Sequence, residues 1–187
     1  MGDGEKTPLK LKFDPKVRPQ FRGATIASDA GLLACRELDD ALGLSNFADD
    51  YLKDNRTGNN IRHKLTPLLR QSIYSRLAGY DDTNDAERLS QDPAMRVVVG
   101  WKGSDRKAAS TSEMGRFETE LLTQKENLEG LERLNVEWVK RAVANTAHRR
   151  IILDIDSSES PVHGKQEGAA YNGHFECMCY HPLFCFN

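Results

Sequence analysis

The sequence lacks any apolar run long enough to cross a membrane, and its first residues lack the hydrophobic core of a signal peptide. These two absences predict a cytoplasmic protein. An excess of basic residues is also missing: 26 lysines and arginines stand against 28 acidic residues, so the formal net charge is −2. The charge balance therefore predicts no general attraction to nucleic acid, and any such contact must come from local basic patches.

Cysteine is scarce, with four residues in 187, and no CxxC pair is present. Cys177, Cys179 and His181 alternate in the sequence, within a hairpin candidate near its end. Ligands that alternate along a strand are spread on a line and seldom close a tetrahedral zinc site. Reduced, buried thiols are the better expectation. The absence of internal repeats and low-complexity segments also excludes a repeat architecture.

Helical spacing of apolar residues predicts a mainly helical region over residues 28–147. Its clearest amphipathic pattern follows the loop at residues 53–60, with Arg70 predicted to lie off an apolar face formed by Leu65, Leu68, Leu69, Ile73 and Leu77. Gly43 is expected to end the first helix, and Asp92 and Pro93 are expected to begin another. Ser110 and Glu113 have the spacing of a capping box, and a long helix is expected from about Glu126 to Ala147. Residues 1–27 are predicted to be a flexible arm with an edge strand at Leu9–Phe13.

The run from Arg149 to Ser158 predicts a strand that is buried on at least one face. Asp154 and Asp156 would point to the same side of it. Two carboxylates at the end of an apolar strand are costly to desolvate unless a cation meets them, and Mg²⁺ takes oxygen ligands. The alternative is that these acids end the strand and face water. Two aromatic-rich strand candidates follow, at Tyr171–Phe175 and Tyr180–Phe186, with a turn expected at Cys177–Cys179.

Basic residues gather in two places within the helical region. Arg56, Arg62, His63 and Lys64 surround the loop before the amphipathic helix, and a later linker carries Lys102, Arg106 and Lys107. Exposed basic side chains on loops can contact DNA phosphates without reading the base sequence. Ser110, at a helix N-terminus, could add backbone N–H groups for a phosphate. Residue chemistry by itself nevertheless favours solvated charges and an ordinary helix cap.

Three segments together resemble one protein family. They are LDIDSSESPVHGKQEGAAYNGHFECMCYHPLFCFN at the end of the sequence, RLAGYDDTNDAERLSQDPAMR at residues 76–96, and ASTSEMGRFE at residues 109–118. They resemble the DDE transposases of bacterial insertion sequences, in the group written IS-thirteen-eighty, from about Ser28 onward. The resemblance implies an α+β fold. A mainly helical, DNA-binding region (28–147) would precede the first strands of an incomplete RNase H-like catalytic domain (148–187).

The resemblance also implies a chemistry. Asp156 would be the first of three metal-binding carboxylates, with Asp154 as the alternative, and two Mg²⁺ ions would support cleavage and transfer of DNA strands. The second Asp and the Glu of that triad are not found in these residues, so Mg²⁺ binding is expected to be weak. The chain is therefore predicted to be an inactive fragment of a transposase.

The expected partner is DNA at the terminal inverted repeats of the element, and a second copy of the chain is a further candidate. Two other interpretations stay open. The chain could be a non-catalytic DNA-binding or dimer-forming remnant that represses transposition passively, or it could be a non-functional relict.

Overall fold

A computed structural model describes residues 11–16, 29–57, 61–100, 106–144 and 152–186. The chain divides into two compact units, residues 1–145 and residues 146–187. The described part of the first unit is helical, and that of the second is built from short antiparallel strands. The α+β fold class predicted from the sequence is therefore confirmed.

The first unit contains helices of very different lengths. A short 3₁₀ turn, Ser45–Phe47, precedes the second α-helix, and a π-helical turn, Phe117–Leu121, continues the sixth. The α-helices are α1 (Leu32–Leu42), α2 (Ala48–Tyr51), α3 (Leu65–Leu77), α4 (Ala86–Leu89), α5 (Pro93–Val98), α6 (Thr111–Arg116) and α7 (Lys125–Ala144). No helix in the described part of the chain is both long and apolar enough to cross a membrane.

Local sequence signals set several helix ends where they were predicted. Gly43 ends α1 in the left-handed conformation, with a φ of 76° that a residue with a Cβ rarely adopts. Asp92 caps α5 by accepting a hydrogen bond from the Met95 amide, and Pro93 occupies the first helical turn. Ser110 and Glu113 form both hydrogen bonds of the predicted capping box at the start of α6.

Two apolar clusters form the core of the first unit, and α3 contributes to both. One cluster joins α2, α3, α6 and the π-helical turn to Leu134 of α7, with Leu68 and Phe117 almost completely buried. The other packs Tyr74 of α3 against α1 and α5, where Met95 and Val98 are fully buried. Burying an aliphatic or aromatic side chain contributes about 1.5–3 kcal/mol, so these clusters hold the helices together.

A buried polar network lies beside the second cluster and is centred on Asp39. The Asp39 carboxylate accepts hydrogen bonds from the Ser45 amide (2.8 Å), the Ser45 hydroxyl and the Tyr74 hydroxyl (2.7 Å). The guanidinium groups of Arg36 and Arg70 lie 3.6 and 3.8 Å from the same carboxylate. Burial, together with the hydrogen bond to Asp39, raises the pKa of Tyr74 far above its usual range, so its hydroxyl remains a donor.

Two predictions about the first unit are wrong. Arg70 was expected off the buried face of α3, but it is buried because it donates to Ser45 and Asn46 within the polar network. Leu11 to Phe13 do not form a strand. Instead, the amides of Lys12 and Phe13 donate to the Glu37 carboxylate of α1, and Leu11 is buried in the second apolar cluster. Leu9 and Lys10 lie outside the described residues.

The second unit consists of two small antiparallel sheets. Its strands are β1 (Asp154–Ser157), β2 (Ser160–Pro161), β3 (Ala170–Asn172), β4 (Cys177–Tyr180) and β5 (Leu183–Phe186). β1 pairs with β5, and β4 lies between β2 and β3. The acid-bearing strand therefore pairs with the last strand of the sequence, in a register that places Asp156 opposite Phe184.

The details of this unit differ from the prediction in two ways. β1 was expected to be buried on at least one face, but all four of its residues are exposed. The turn expected at Cys177–Cys179 is wrong, because those residues form β4. The chain instead reverses between Asn172 and Cys177, where the Asn172 side chain accepts a hydrogen bond from the His174 amide and Glu176 has a positive φ. An asparagine side chain that bonds to the backbone two residues further on favours a turn, and this places the reversal at Asn172 rather than at Cys177–Cys179.

Candidate functional site

A basic groove on the first unit contains many of the cations that were predicted to contact DNA. It consists of two adjoining hollows of about 610 and 460 Å³ that share Ile61, Arg62 and Glu113 in their walls. Arg106, Lys107 and Ser110 line the first hollow, and Arg56 and Arg116 line the second. The groove therefore joins segments that are far apart in the sequence, since its lining runs from Asn55 to Gln124.

The groove also carries negative charge. Glu87 lines the first hollow, Glu120 lines the second, and Glu113 belongs to both. Of these three carboxylates, Glu113 contacts the His63 ring. Arg62, Lys107 and Arg116 line the groove with exposed side chains, and within the described residues none of them has an ion-pair partner. We call these three the groove cations. Lys64 is also exposed but lines neither hollow.

Buried side-chain amides hold the loops that carry the groove cations. Gln71 of α3 is 1% exposed, and its amide donates to the Ala109 carbonyl and accepts from the Ala109 amide, both at 2.7 Å. Asn127 of α7 makes the same pair of bonds to the backbone of Lys53, at 2.7 and 3.0 Å. Each amide replaces the partner that a neighbouring strand would provide, so the loops are fixed without a sheet.

His63 lies at the centre of the groove and joins its walls. The Nδ1 atom of its ring is 2.9 Å from a Glu113 carboxylate oxygen, and Nε2 is 3.1 Å from the Lys107 carbonyl. The backbone carbonyl of His63 accepts a hydrogen bond of 3.0 Å from the Arg56 guanidinium. One side chain thus connects the segment before α3 to the Lys107 loop and to α6.

Glu113 is held as a carboxylate by its neighbours. Partial burial acts to raise its pKa, but hydrogen bonds from His63 and Ser110 outweigh burial and lower the pKa below its usual value. The group is therefore ionised at neutral pH and can only accept hydrogen bonds.

Three of the residues predicted to bind DNA differ in their situation from the groove cations. Arg56 forms a two-pronged ion pair with Asp54 at 2.6 and 2.7 Å, and this contact lowers the pKa of the Asp54 carboxyl. The amide and hydroxyl of Ser110 are both bonded to Glu113, so they are already used within the capping box. Lys102 lies outside the described residues. Arg56 and Ser110 thus have structural roles in addition to any contact with DNA.

Sequence reasoning did not single out Arg116 or His63 as site residues. Arg116 is in the last turn of α6, where a positive charge is ordinarily explained by its favourable interaction with the helix dipole. Its spacing of three residues from Glu113 places both on the same helix face, and this was the available signal. His63 was noted only as part of a basic cluster, because its two partners come from residues 44 and 50 positions away.

The two predicted metal-binding acids lie on one face of β1 in the second unit. Asp154 is opposite Phe186 and Asp156 is opposite Phe184, and directly opposed residues of antiparallel strands point to the same side. The rings of Phe184 and Phe186 are stacked with centroids 6.2 Å apart. Asp156 also accepts a hydrogen bond of 2.8 Å from the Ser157 amide, which orients its carboxylate.

Asp154 and Asp156 are the type of ligand that a hard divalent cation binds, but two carboxylates are too few for a complete metal site. Their carboxylate oxygens are the donors that Mg²⁺ prefers, and both are exposed. Across the described segments, no three histidine, cysteine, aspartate or glutamate side chains converge as a metal site would require. The nearby Glu159 is in contact with the Cys177 thiol instead, at 3.5 Å. The acid pair is thus at most part of a metal centre.

Comparison with known proteins identifies the class to which this chain belongs. The family model described as "Transposase DDE domain group 1" matches residues 9–187, which is nearly the whole chain. The chain is therefore a member of the DDE transposase family. No curated protein and no solved structure shows detectable similarity to it. Transposases of this family act on DNA, and their DDE domains generally use divalent metal ions.

Proposed function

We propose that the helical unit binds the DNA ends of an insertion sequence, at its terminal inverted repeats. The observation that carries this proposal is the groove: Arg62, Lys107 and Arg116 are exposed in its walls. The buried side chains of Gln71 and His63 hold the loop that carries Lys107. Cations on a pre-organised surface can neutralise DNA phosphates without the entropy cost of ordering a loop. We also place the chain in the IS-thirteen-eighty group and expect it to act in the cytoplasm.

We further propose that Asp156 is the first metal-binding acid of the DDE centre and that Asp154 supports it. The two carboxylates share one face of β1, and the Ser157 amide already orients Asp156. With Mg²⁺ bound, such a centre would activate an attacking hydroxyl and stabilise the departing oxygen of a DNA phosphodiester. Asp156 would hold the metal through its carboxylate oxygens, and Asp154 would either replace it in that role or support it from beside the metal.

The chain of 187 residues is proposed not to cleave DNA on its own. Two adjacent carboxylates can hold one hard cation weakly, but they cannot position two ions, and DNA cleavage by this chemistry requires both. A chain that binds element ends without cleaving them would repress transposition by occupying those ends, alone or as a homodimer, and this is the second candidate function.

The salt dependence of DNA binding tests the proposed groove. Replacing Arg62 or Lys107 by alanine is expected to make the slope of log affinity against log salt shallower by about 0.9 for each phosphate that is no longer neutralised. Fluorescence anisotropy with a labelled inverted-repeat duplex, at several salt concentrations, measures this slope. Lys140→Ala provides the matched control, because Lys140 is an exposed cation on α7 outside the groove. Equal slopes for all three variants and the unmodified chain would refute the assignment.

A further inference from the structure

The side of α7 that faces away from the apolar core carries exposed aliphatic side chains. Leu128 is 50% exposed, Val136 is 52% exposed and Val139 is 45% exposed. Together with Glu132 they recur at spacings of three and four residues, so they lie along one face of the helix. We call these four residues the outer stripe. The buried residues of α7 lie on the opposite face: Asn127, Gly130 and Leu134.

The charged residues between positions 128 and 141 fall into two groups. Four of them are paired within the helix, with 3.9 and 3.1 Å between the charged atoms: Glu129 with Arg133, and Glu137 with Arg141. Glu132 and Lys140 are also exposed, but neither has an ion-pair partner among the described residues. They lie four residues before and four residues after Val136. An unpaired negative charge and an unpaired positive charge therefore stand at equal distances from the middle of the outer stripe.

We infer that two copies of this chain associate through the outer stripes of their α7 helices, packed antiparallel with Val136 on the two-fold axis. In this register Glu132 of each copy faces Lys140 of the other, so both unpaired charges meet a charge of opposite sign. A parallel pair would place Glu132 against Glu132 and Lys140 against Lys140, and like charges repel. Charge complementarity therefore favours a second copy in antiparallel orientation.

The size of the stripe sets the expected strength of the association. A two-fold interface must be complementary to itself, and the outer stripe meets this requirement. The 20 residues of α7 form a helix about 30 Å long, so a single helix pair gives an interface at the small end of the specific range. The dimer is therefore expected to be weak and reversible, with a dissociation constant on the order of 10 µM.

Analytical ultracentrifugation of the full chain, from about 1 to 200 µM, measures this association directly. The unmodified chain is expected to change reversibly from monomer to dimer over this range. Val136→Lys places two positive charges against each other on the axis and should weaken the association by at least about tenfold. Leu77→Lys is the matched control, because Leu77 is an aliphatic residue of α3 that is 61% exposed and lies outside the stripe. It should leave the association unchanged.

An exchange of the two charges tests the orientation of the helices. Either Glu132→Lys or Lys140→Glu alone places like charges at both contacts of the antiparallel pair, and should weaken the association by about tenfold. The double variant restores opposite charges and should recover the affinity of the unmodified chain. In a parallel pair the number of like-charge contacts is the same in all four chains, so neither a loss nor a recovery would be seen.

Three results would overturn the inference: a chain that remains monomeric at about 200 µM, a dimer that Val136→Lys does not weaken, or single-charge variants whose loss the double variant does not recover. Circular dichroism of each variant checks that the exposed substitutions leave the helices intact. Within the described residues α7 does not line the groove, and these measurements use no DNA, so they do not depend on the proposed DNA binding. At the nanomolar concentrations of an anisotropy titration the dimer dissociates, so Lys140→Ala remains a valid control there.

Discussion

Replacing Asp39 by alanine is expected to lower the free energy of unfolding of the helical unit by about 3–5 kcal/mol, because it breaks a buried ion-paired network on one side only. The change removes the acceptor for the Ser45 and Tyr74 hydroxyls and leaves two arginines buried without their shared carboxylate. Arg36 and Arg70 are each less than a tenth exposed, so water does not compensate for the missing carboxylate. Urea denaturation of the full chain, followed by far-ultraviolet circular dichroism, measures the effect.

Two further variants isolate the cause. Asp40 is the next residue and also contacts Arg36, at 3.4 Å, but its side chain is 40% exposed. Asp40→Ala is expected to cost less than about 1 kcal/mol, as exposed ion pairs do. Asp39→Asn keeps the size of the side chain while removing its charge, and it should fall between the two alanine variants. If Asp39→Ala were no more destabilising than Asp40→Ala, the polar network would not contribute to stability as described.

Replacing Gly130 by alanine is the second large effect, with an expected decrease of about 1–3 kcal/mol in the free energy of unfolding from overpacking. Gly130 lies in α7 and has only a hydrogen atom in place of a side chain, so α7 can approach the carbonyl group of Tyr51 closely. A Cβ added there would stand 2.2 Å from that oxygen, much closer than any real contact, and 3.0 Å from the Leu52 side chain. Because the obstacle is backbone, relief requires α7 to move away from α2, and the bonds of Asn127 to Lys53 would be strained.

Gly115→Ala is the matched control for this prediction. Gly115 is also helical, in α6, and an added Cβ would meet no atom within 4 Å. Alanine there is expected to raise the free energy of unfolding by about 0.5–1 kcal/mol, since glycine is the poorer helix former. The two substitutions should therefore have effects of opposite sign in the same denaturation assay. Equal effects would mean that the contact between α7 and Tyr51 does not limit the packing.

Features set by neighbours in the sequence could be predicted, and features set by distant partners could not. The capping box at Ser110 and the left-handed end of α1 at Gly43 depend on a few adjacent residues. The buried position of Arg70 depends on Ser45 and Asn46, which are 25 and 24 residues away. Helical periodicity cannot show that an arginine has such partners, so the sequence wrongly placed it off the buried face.

The same distinction applies to the candidate site. Local charge was enough to select Arg62 and Lys107, which the fold brings to one groove. It could not reveal that His63 contacts Glu113 and the Lys107 carbonyl, which are 50 and 44 residues away. The pairing of Arg56 with Asp54, only two residues away, is a local contact that the sequence analysis did not consider. In the second unit, the alternation of Asp154 and Asp156 predicted their shared face correctly, but the exposure of β1 was missed because burial depends on what packs against a strand. Their roles in metal binding remain predictions.

We propose that this chain binds DNA through its helical unit and that Asp154 and Asp156 alone do not form a complete catalytic centre. A titration of the purified chain with labelled DNA carrying the parent element's terminal inverted repeat, at two salt concentrations and with and without Mg²⁺, tests both parts. We expect binding that weakens with salt, no cleavage in either condition, and the same affinity for Asp156→Ala. Mg²⁺-dependent nicking that disappears in Asp156→Ala would contradict the claim of an incomplete centre, and absence of binding at low salt would contradict the proposed DNA-binding function.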